Sequence, residues 1–214
     1  ARRRHPRGRR RDRYGQRVML CKKTATIPLP LDYPVSDMDS WLRIKPQYEY
    51  AARRFAAHWL ESAKRARDAG ALIVAYMPGG FNEPRELMGE EALCAAYYEA
   101  PELIHDMLGT IGTTVERTLD EVSREVRIDQ LSVHEDLAGK SGSLIGPIQI
   151  RGFIKPYYRR IWDMLHARGT QIFQQDSDGN LDAVLPAASV HRRRRRRNGL
   201  SDAGSRIRDR RGSL

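Results

Sequence analysis

Three times along this chain a short apolar run gives way to a polar, glycine-bearing loop and then to a long helix-forming segment. That recurrence constrains the fold more than any other feature. The runs lie at 71–77, 128–133 and 170–174. The first, Ala71-Leu-Ile-Val-Ala-Tyr-Met77, is apolar at nearly every position, as a parallel strand covered on both faces must be. Strand alternating with helix argues for an α/β fold with a parallel sheet. Periodicity alone leaves both a closed barrel and an open doubly wound sheet standing.

Helix signals sit between the runs. Gly70 follows a segment, 53–69, that carries Phe55, Trp59 and Leu60 on one face, and it stands where a C-terminal glycine cap would. Pro84 and Pro101 occupy positions that a first helical turn tolerates, predicting helices through Tyr98 and through about Glu125. In the second of these, Leu103, Ile104, Met107, Leu108, Ile111, Val115, Leu119 and Val122 form one apolar stripe at helical spacing, which reads as core packing rather than a cofactor box. Pro147 opens a further helix to about Arg168, with Phe153, Ile154, Tyr157, Tyr158, Ile161 and Leu165 as its apolar residues. Ser36 can cap a short helix through Leu42, and between Val18 and Leu31 the prolines at 28 and 30 leave at most an edge strand or a hairpin arm.

Charge pulls in another direction. A formal net charge of +11 points to a nucleic-acid partner. The charge is concentrated at the ends, however. Residues 1–17 hold nine Arg against one Asp, and 189–214 hold ten against two, so each carries +8 and the centre, 18–188, is −5. An acidic, ordinarily hydrophobic centre between two arginine runs is not one basic domain. Three readings of the tails are open: arms that bind RNA or DNA, a targeting signal, and out-of-frame translation of a GC-rich gene, in which Ala, Val, Gly and Asp codons become triplets read as Arg. Arg192 to Arg197 would contact phosphates with steep salt dependence or serve as a nuclear address. No aromatics are interleaved, and the centre holds no helix-turn-helix, zinc-finger or RNP-type motif. Nucleic acid is therefore a partner only if the tails are genuine. The division expected is a disordered basic tail at 1–13, a domain at 14–188 and an Arg-rich tail at 189–214.

Cys21 and Cys94 show no pairing pattern and fit a reducing compartment. No apolar stretch approaches the ~20 residues that span a bilayer. A cytoplasmic protein with no membrane partner is expected.

Chemistry-bearing residues gather where the runs end. Leu131-Ser-Val-His-Glu-Asp-Leu-Ala-Gly-Lys-Ser-Gly-Ser-Leu-Ile-Gly-Pro147 puts His134, Glu135 and Asp136 at the carboxyl end of a strand, where barrel enzymes build their active sites. These three are the catalytic candidates; the plainer alternative is that Glu135 or Asp136 caps the following loop or pairs with Lys140. The first run leads into Met77-Pro-Gly-Gly-Phe-Asn-Glu-Pro-Arg-Glu-Leu-Met-Gly89, where Met77, Pro78, Gly79, Gly80 and Asn82 are expected to line a cleft, since glycine permits close backbone approach, or to form only a turn. Arg85 can grip a substrate carboxylate, or pair with Glu86 or Glu90 instead. The third run ends in Asp176-Ser-Asp-Gly-Asn180, offering Asp176, Asp178 and Asn180 as substrate-binding residues. With His134 the two aspartates can hold a hard cation; the bland alternative is an Asp-Gly-Asn turn capping a helix at Leu181.

These segments, with Phe153-Ile-Lys-Pro-Tyr-Tyr-Arg-Arg160, resemble the uroporphyrinogen decarboxylase superfamily, which holds the porphyrinogen decarboxylases and the methyltransferases that serve corrinoid and thiol cofactors. The resemblance covers roughly 14–188 and is best over 71–180. It implies a (βα)8 barrel, partial here because the ~170 residues concerned fall short of the ~250 of a complete one. It also implies a deep cleft at the strand ends, a tetrapyrrole or related carboxylated small molecule as substrate, decarboxylation without a cofactor, and a homodimer for the full-length family. Glu135 falls on the aspartate of the decarboxylases' Asp-Ser-Trp-Ala-Gly, where an acceptor-only anion orients pyrrole N–H groups or stabilises a protonated intermediate.

Where Asp176 to Asn180 stand, the methyltransferases carry His-x-Cys-Gly-Asn. Aspartates in place of that His and Cys remove soft thiolate ligation, so zinc and corrinoid enter only under the methyltransferase alternative. The decarboxylases' Met-Arg-Gln-Ala-Gly-Arg segment, which grips substrate carboxylates, is absent. Shifted by one nucleotide, 191–207 can spell the Ala-Gly-Val-Asp and Tyr-Pro-Met continuation of relatives, which favours the out-of-frame reading of that tail.

Overall fold

The chain enters through a small antiparallel sheet of β1 (Arg10–Arg11), β2 (Arg17–Met19) and β3 (Leu29–Pro30). The computed structural model describes residues 10–19, 28–52 and 55–188, so the readings placed on 1–9, on Cys21 and on the arginine run at 189–214 lie outside the described residues. Asp12 closes the first turn, its Oδ1 accepting the N–H groups of Tyr14 and Gln16 at 3.0 Å each. Arg10 pairs with Val18 and Arg11 with Arg17. The tail boundary expected at residue 13 is therefore corrected: 10–13 belong to a hairpin, held by backbone pairing and the Asp12 turn.

Short helices follow. In α1 (Met38–Ile44) the cap is Asp37 rather than Ser36, because Asp37 and Ser40 satisfy each other's backbone N–H groups as a reciprocal box. Helix α2 (Trp59–Asp68) is shorter than the 53–69 span expected and buries none of its residues. Phe55 and Trp59 stack on each other instead, 5.3 Å between ring centroids.

The centre of the fold is β4 (Val74–Met77), α3 (Asn82–Met88), α4 (Glu90–Glu99), α5 (Pro101–Glu125), β5 (Gln130–His134), a two-strand ribbon of β6 (Ala138–Gly139) and β7 (Gly142–Ser143), then α6 (Pro147–Gln149), a π-helical turn at Ile150–Ile154, α7 (Lys155–Ala167), β8 (Ile172–Asp176) and α8 (Leu185–Ala188). The single helix expected from Pro84 to Tyr98 is two. Gly89, at φ +84°, breaks it, and a Cβ there would stand 2.7 Å from the Tyr33 ring.

Strands β4, β5 and β8 form a three-stranded parallel sheet in sequence order, with Met77 opposite Val133 and His134 opposite Asp176. Leu131, Val133 and Met77 on one face are buried with Ile104, Met107 and Ile111 of α5 and Tyr158, Ile161 and Leu165 of α7. The two helices also meet each other: Arg160 pairs with Glu116 and Arg168 with Asp120. On the opposite face Tyr76 is 79% exposed, Val74 and Ile172 are exposed, and Gln130 donates to Ser132 at 2.8 Å and to Gln174 at 2.7 Å. Apolar runs covered on both faces were expected; the sheet is covered on one, because both long helices lie on the same side and β4 and β8 are edges. The fold is mixed α/β, and the described residues close no barrel. Among them no helix is long and apolar enough to cross a membrane.

Candidate active site

A cleft of about 550 Å³ opens at the carboxyl ends of β4 and β5. Tyr76, Met77, Pro78 and Gly79 supply one wall, Asn82 and Glu83 the first turn of α3, His134 the end of β5, Arg13 and Tyr14 the β1–β2 turn, and Gln47 and Tyr48 the segment after α1. Of the residues that the sequence proposes, Met77, Pro78, Gly79, Asn82 and His134 line it. Gly80, Arg85, Glu135, Asp136, Asp176, Asp178 and Asn180 do not.

His134 stands between two carboxylates. Its Nε2 is 3.3 Å from Asp136 Oδ2 and its Nδ1 3.5 Å from Asp176 Oδ2. Parallel pairing of β5 with β8 brings Asp176 opposite His134, while Asp136 turns back toward it through a left-handed backbone, φ +47°. A non-glycine residue held there is a strained position of the kind that clusters at functional sites. Asp136 Oδ1 is buried with no hydrogen-bond partner among the described residues, and Oδ2 also receives Arg85 Nη2 at 3.1 Å. Arg85 further donates to Asn82 Oδ1 at 2.8 Å and lies 3.8 Å from both Glu86 and Glu90. The guanidinium expected to grip a substrate carboxylate is occupied by the chain's own acids, and it fixes Asp136 beneath His134.

Glu135 has a different place from the one expected of it. It is fully buried on the helix side of β5, since alternation along the strand sends Leu131, Val133 and Glu135 inward and His134 toward the cleft. Its carboxylate accepts the N–H groups of Gly80 at 2.8 Å, Phe81 at 2.9 Å and Asn82 at 3.0 Å, and the hydroxyl of Tyr158. Neither a pairing with Lys140 nor direct contact with a substrate in the cleft is compatible with that enclosure. Burial pushes the carboxyl up to about 7 against the pull of those hydrogen bonds. Glu135 is thus the anchor of the 79–82 turn. The glycines there have a reason: a Cβ on Gly79 would lie 2.4 Å from the His134 carbonyl oxygen and 2.7 Å from Glu135 Oε2.

The 176–180 loop braces its neighbour. Ser177 Oγ accepts Leu137 N–H at 2.8 Å, and Gly179, at φ +87°, packs against the Ala138 and Gly139 carbonyls, where a Cβ would come within 2.5 Å. Asn180 Oδ1 accepts Asp182 N–H at 3.0 Å, so Asn180 caps a turn, and α8 begins only at Leu185 rather than at Leu181. Asp178 is exposed. Among the described residues no three His, Cys, Asp or Glu side chains converge to hold a metal ion, so the set His134, Asp176 and Asp178 is not assembled. Nor does the cleft lining include Cys94, whose Sγ faces the Leu144 carbonyl at 3.7 Å.

Five polar wall residues, Arg13, Tyr14, Gln47, Tyr48 and Glu83, were not legible as site residues. Arg13 was counted with a basic tail, and Glu83 sat unremarked inside the Met77–Gly89 motif. Arg13 lies over the Tyr14 ring, 4.6 Å from its centroid, and donates to the Tyr14 hydroxyl at 2.5 Å. Burial raises the hydroxyls of Tyr14 and Tyr48 and the carboxyl of Glu83 above their ordinary ranges. No family model, no curated protein and no solved structure matches this chain.

Proposed function

We propose that the chain forms one arc of a (βα)8 barrel and acts as a carboxy-lyase of uroporphyrinogen decarboxylase type, on a tetrapyrrole or related carboxylated compound. The observation that carries this reading is the placing of His134 between Asp136 and Asp176 at the ends of neighbouring parallel strands, in a cleft that also holds Arg13. Three parallel strands in sequence order, with both long helices on one face, fit an arc of a barrel, as they fit one half of a doubly wound sheet.

Loss of CO2 leaves the electron pair of the broken C–C bond on carbon, so the substrate needs an electron sink and the carbon needs a proton. His134, oriented by two carboxylates, is suited to protonate the substrate ring and take that proton back. Arg13, whose guanidinium donates to the Tyr14 hydroxyl and lies over its ring, offers a cation to a substrate carboxylate. The tyrosines at 14, 48 and 76 give the walls flat apolar surface. A methyltransferase reading has weaker support, since among the described residues no cysteine lines the cleft and no metal-ligand set is assembled.

The test is to incubate the chain anaerobically with an acetate-bearing porphyrinogen and follow the mass of the product. Loss of CO2, reduced ~100-fold in His134→Ala, is expected. Methyl transfer from methylcobalamin to a thiol, with no CO2 release, would overturn the assignment.

A further inference from the structure

His134 is not the only titratable group in the cleft. Glu83, in the first turn of α3, lines the same cavity, its N–H donated to the Gly79 carbonyl at 3.1 Å. The groups that face it come from three elements: Arg13 and Tyr14 from the β1–β2 turn, Tyr48 from the segment after α1, and Glu86 from α3 itself. Arg13 acts on its carboxyl through charge, its guanidinium being held on the Tyr14 ring and hydroxyl. Glu83 is therefore a half-buried carboxyl, and among the described residues no cation is hydrogen-bonded to it.

We propose that Glu83 is a second catalytic acid of this cleft, delivering the proton that replaces CO2 on the substrate carbon. The step balances without a further reagent. The C–CO2 bond breaks, the electron pair passes into the ring protonated by His134, the Glu83 carboxyl gives its proton to the carbon as that pair returns, and His134 recovers the ring proton. Glu83 then takes one proton from water, which is the net proton that decarboxylation consumes. Burial supports the role, since it holds a proton on Glu83 at a pH where an exposed carboxyl has lost it, with the charge of Arg13 opposing.

The identity of the substrate rests on the decarboxylase reading; the titration of Glu83 does not. The experiment follows the glutamate carboxyl carbons by ¹³C NMR across pH, with Glu83 assigned through Glu83→Gln, before and after addition of a tetracarboxylic porphyrin. Turnover of the porphyrinogen is measured in parallel. Expected are a titration above the ordinary carboxylate range that moves when the porphyrin is added, a kcat about 100-fold lower in Glu83→Gln with porphyrin affinity unchanged, and partial recovery in Glu83→Asp. A Glu83 titration that the porphyrin leaves unmoved, or a Glu83→Gln chain with wild-type kcat, overturns the proposal. If the porphyrin moves Glu83 but the wild-type chain releases no CO2, the decarboxylase reading is lost while Glu83 stands as a ligand-contacting acid.

Discussion

Tyr158 of α7 and Glu135, the residue after β5, are joined by a hydrogen bond to which solvent has no access, and the same tyrosine oxygen accepts the Gly80 N–H at 3.0 Å. Strand, helix and the 79–82 turn are thus tied at one point beneath the cleft. Glu135→Ala would leave the Phe81 and Asn82 amides and the Tyr158 hydroxyl without their acceptor, and is expected to cost about 3–5 kcal/mol. Tyr158→Phe removes one donor and leaves Gly80 its bond to Glu135, so about 1–2 kcal/mol is expected. Urea unfolding of the two variants measures both, and equal small losses would mean that the turn is held by something else.

The same carboxyl makes stability depend on pH. Its ordinary value is 4.5 and burial raises it to about 7 in the folded chain. Between those values the folded state binds more protons than the unfolded one, so the contribution from Glu135 is fully present below pH 4.5 and is lost as pH rises through 7. The span corresponds to about 3 kcal/mol. Asp129 works in the opposite sense. Hydrogen bonds from Arg67, the Ile73 N–H and Arg127 hold it well below the ordinary carboxylate range, so its contribution is present above about pH 4 and lost on further acidification. Stability is expected to peak in the mildly acidic range, and Glu135→Gln should flatten the slope between pH 5 and 7 and leave the acid limb in place. Denaturant midpoints taken at half-unit pH intervals would show it.

Glycines distinguish sites that need close approach from sites that do not. Gly79→Ala sets a methyl against the His134 carbonyl and is expected to cost about 2–3 kcal/mol, since the obstructing atom is backbone and cannot swing away. Gly109, in the interior of α5 with nothing within 4 Å of a Cβ, should instead gain about 0.5–1 kcal/mol as Ala. Thermal melts of the two variants should shift in opposite directions.

The long periodic elements were legible because their signals are local. Pro101 and the apolar stripe behind it define α5 over its observed span, and the second run predicts β5 to within two residues. What could not be read was tertiary. An apolar run does not say how many of its faces are covered, so it implies a buried Tyr76, which is exposed because among the described residues both long helices lie on the other side of the sheet. His-Glu-Asp read as one catalytic cluster, yet strand alternation sends Glu135 to the amides of Gly80, Phe81 and Asn82, and the left-handed turn at Asp136 returns its carboxylate to His134. Arg13 is hidden among the amino-terminal arginines, because a count of arginines does not distinguish one anchored by an Asp12 turn from one in a run.

The one-sided sheet yields a last prediction. Leu131 and Ile172 sit on strands that pair with each other, but Leu131 faces α5 and α7, whereas Ile172 lies on the open face, 48% exposed. If these strands are completed only by the helices, Leu131→Ala removes a fully buried side chain and is expected to cost about 2–5 kcal/mol, with Ile172→Ala costing less than about 1 kcal/mol. A barrel closed in solution by pairing of the open edges, within one chain or between two, would bury Ile172 in its interior and bring the two losses together. Denaturant unfolding of both variants, repeated over a range of protein concentration, separates the cases. A large loss at Ile172 that is independent of concentration points to closure within the chain, one that grows on dilution points to closure between copies, and a small loss leaves the face open.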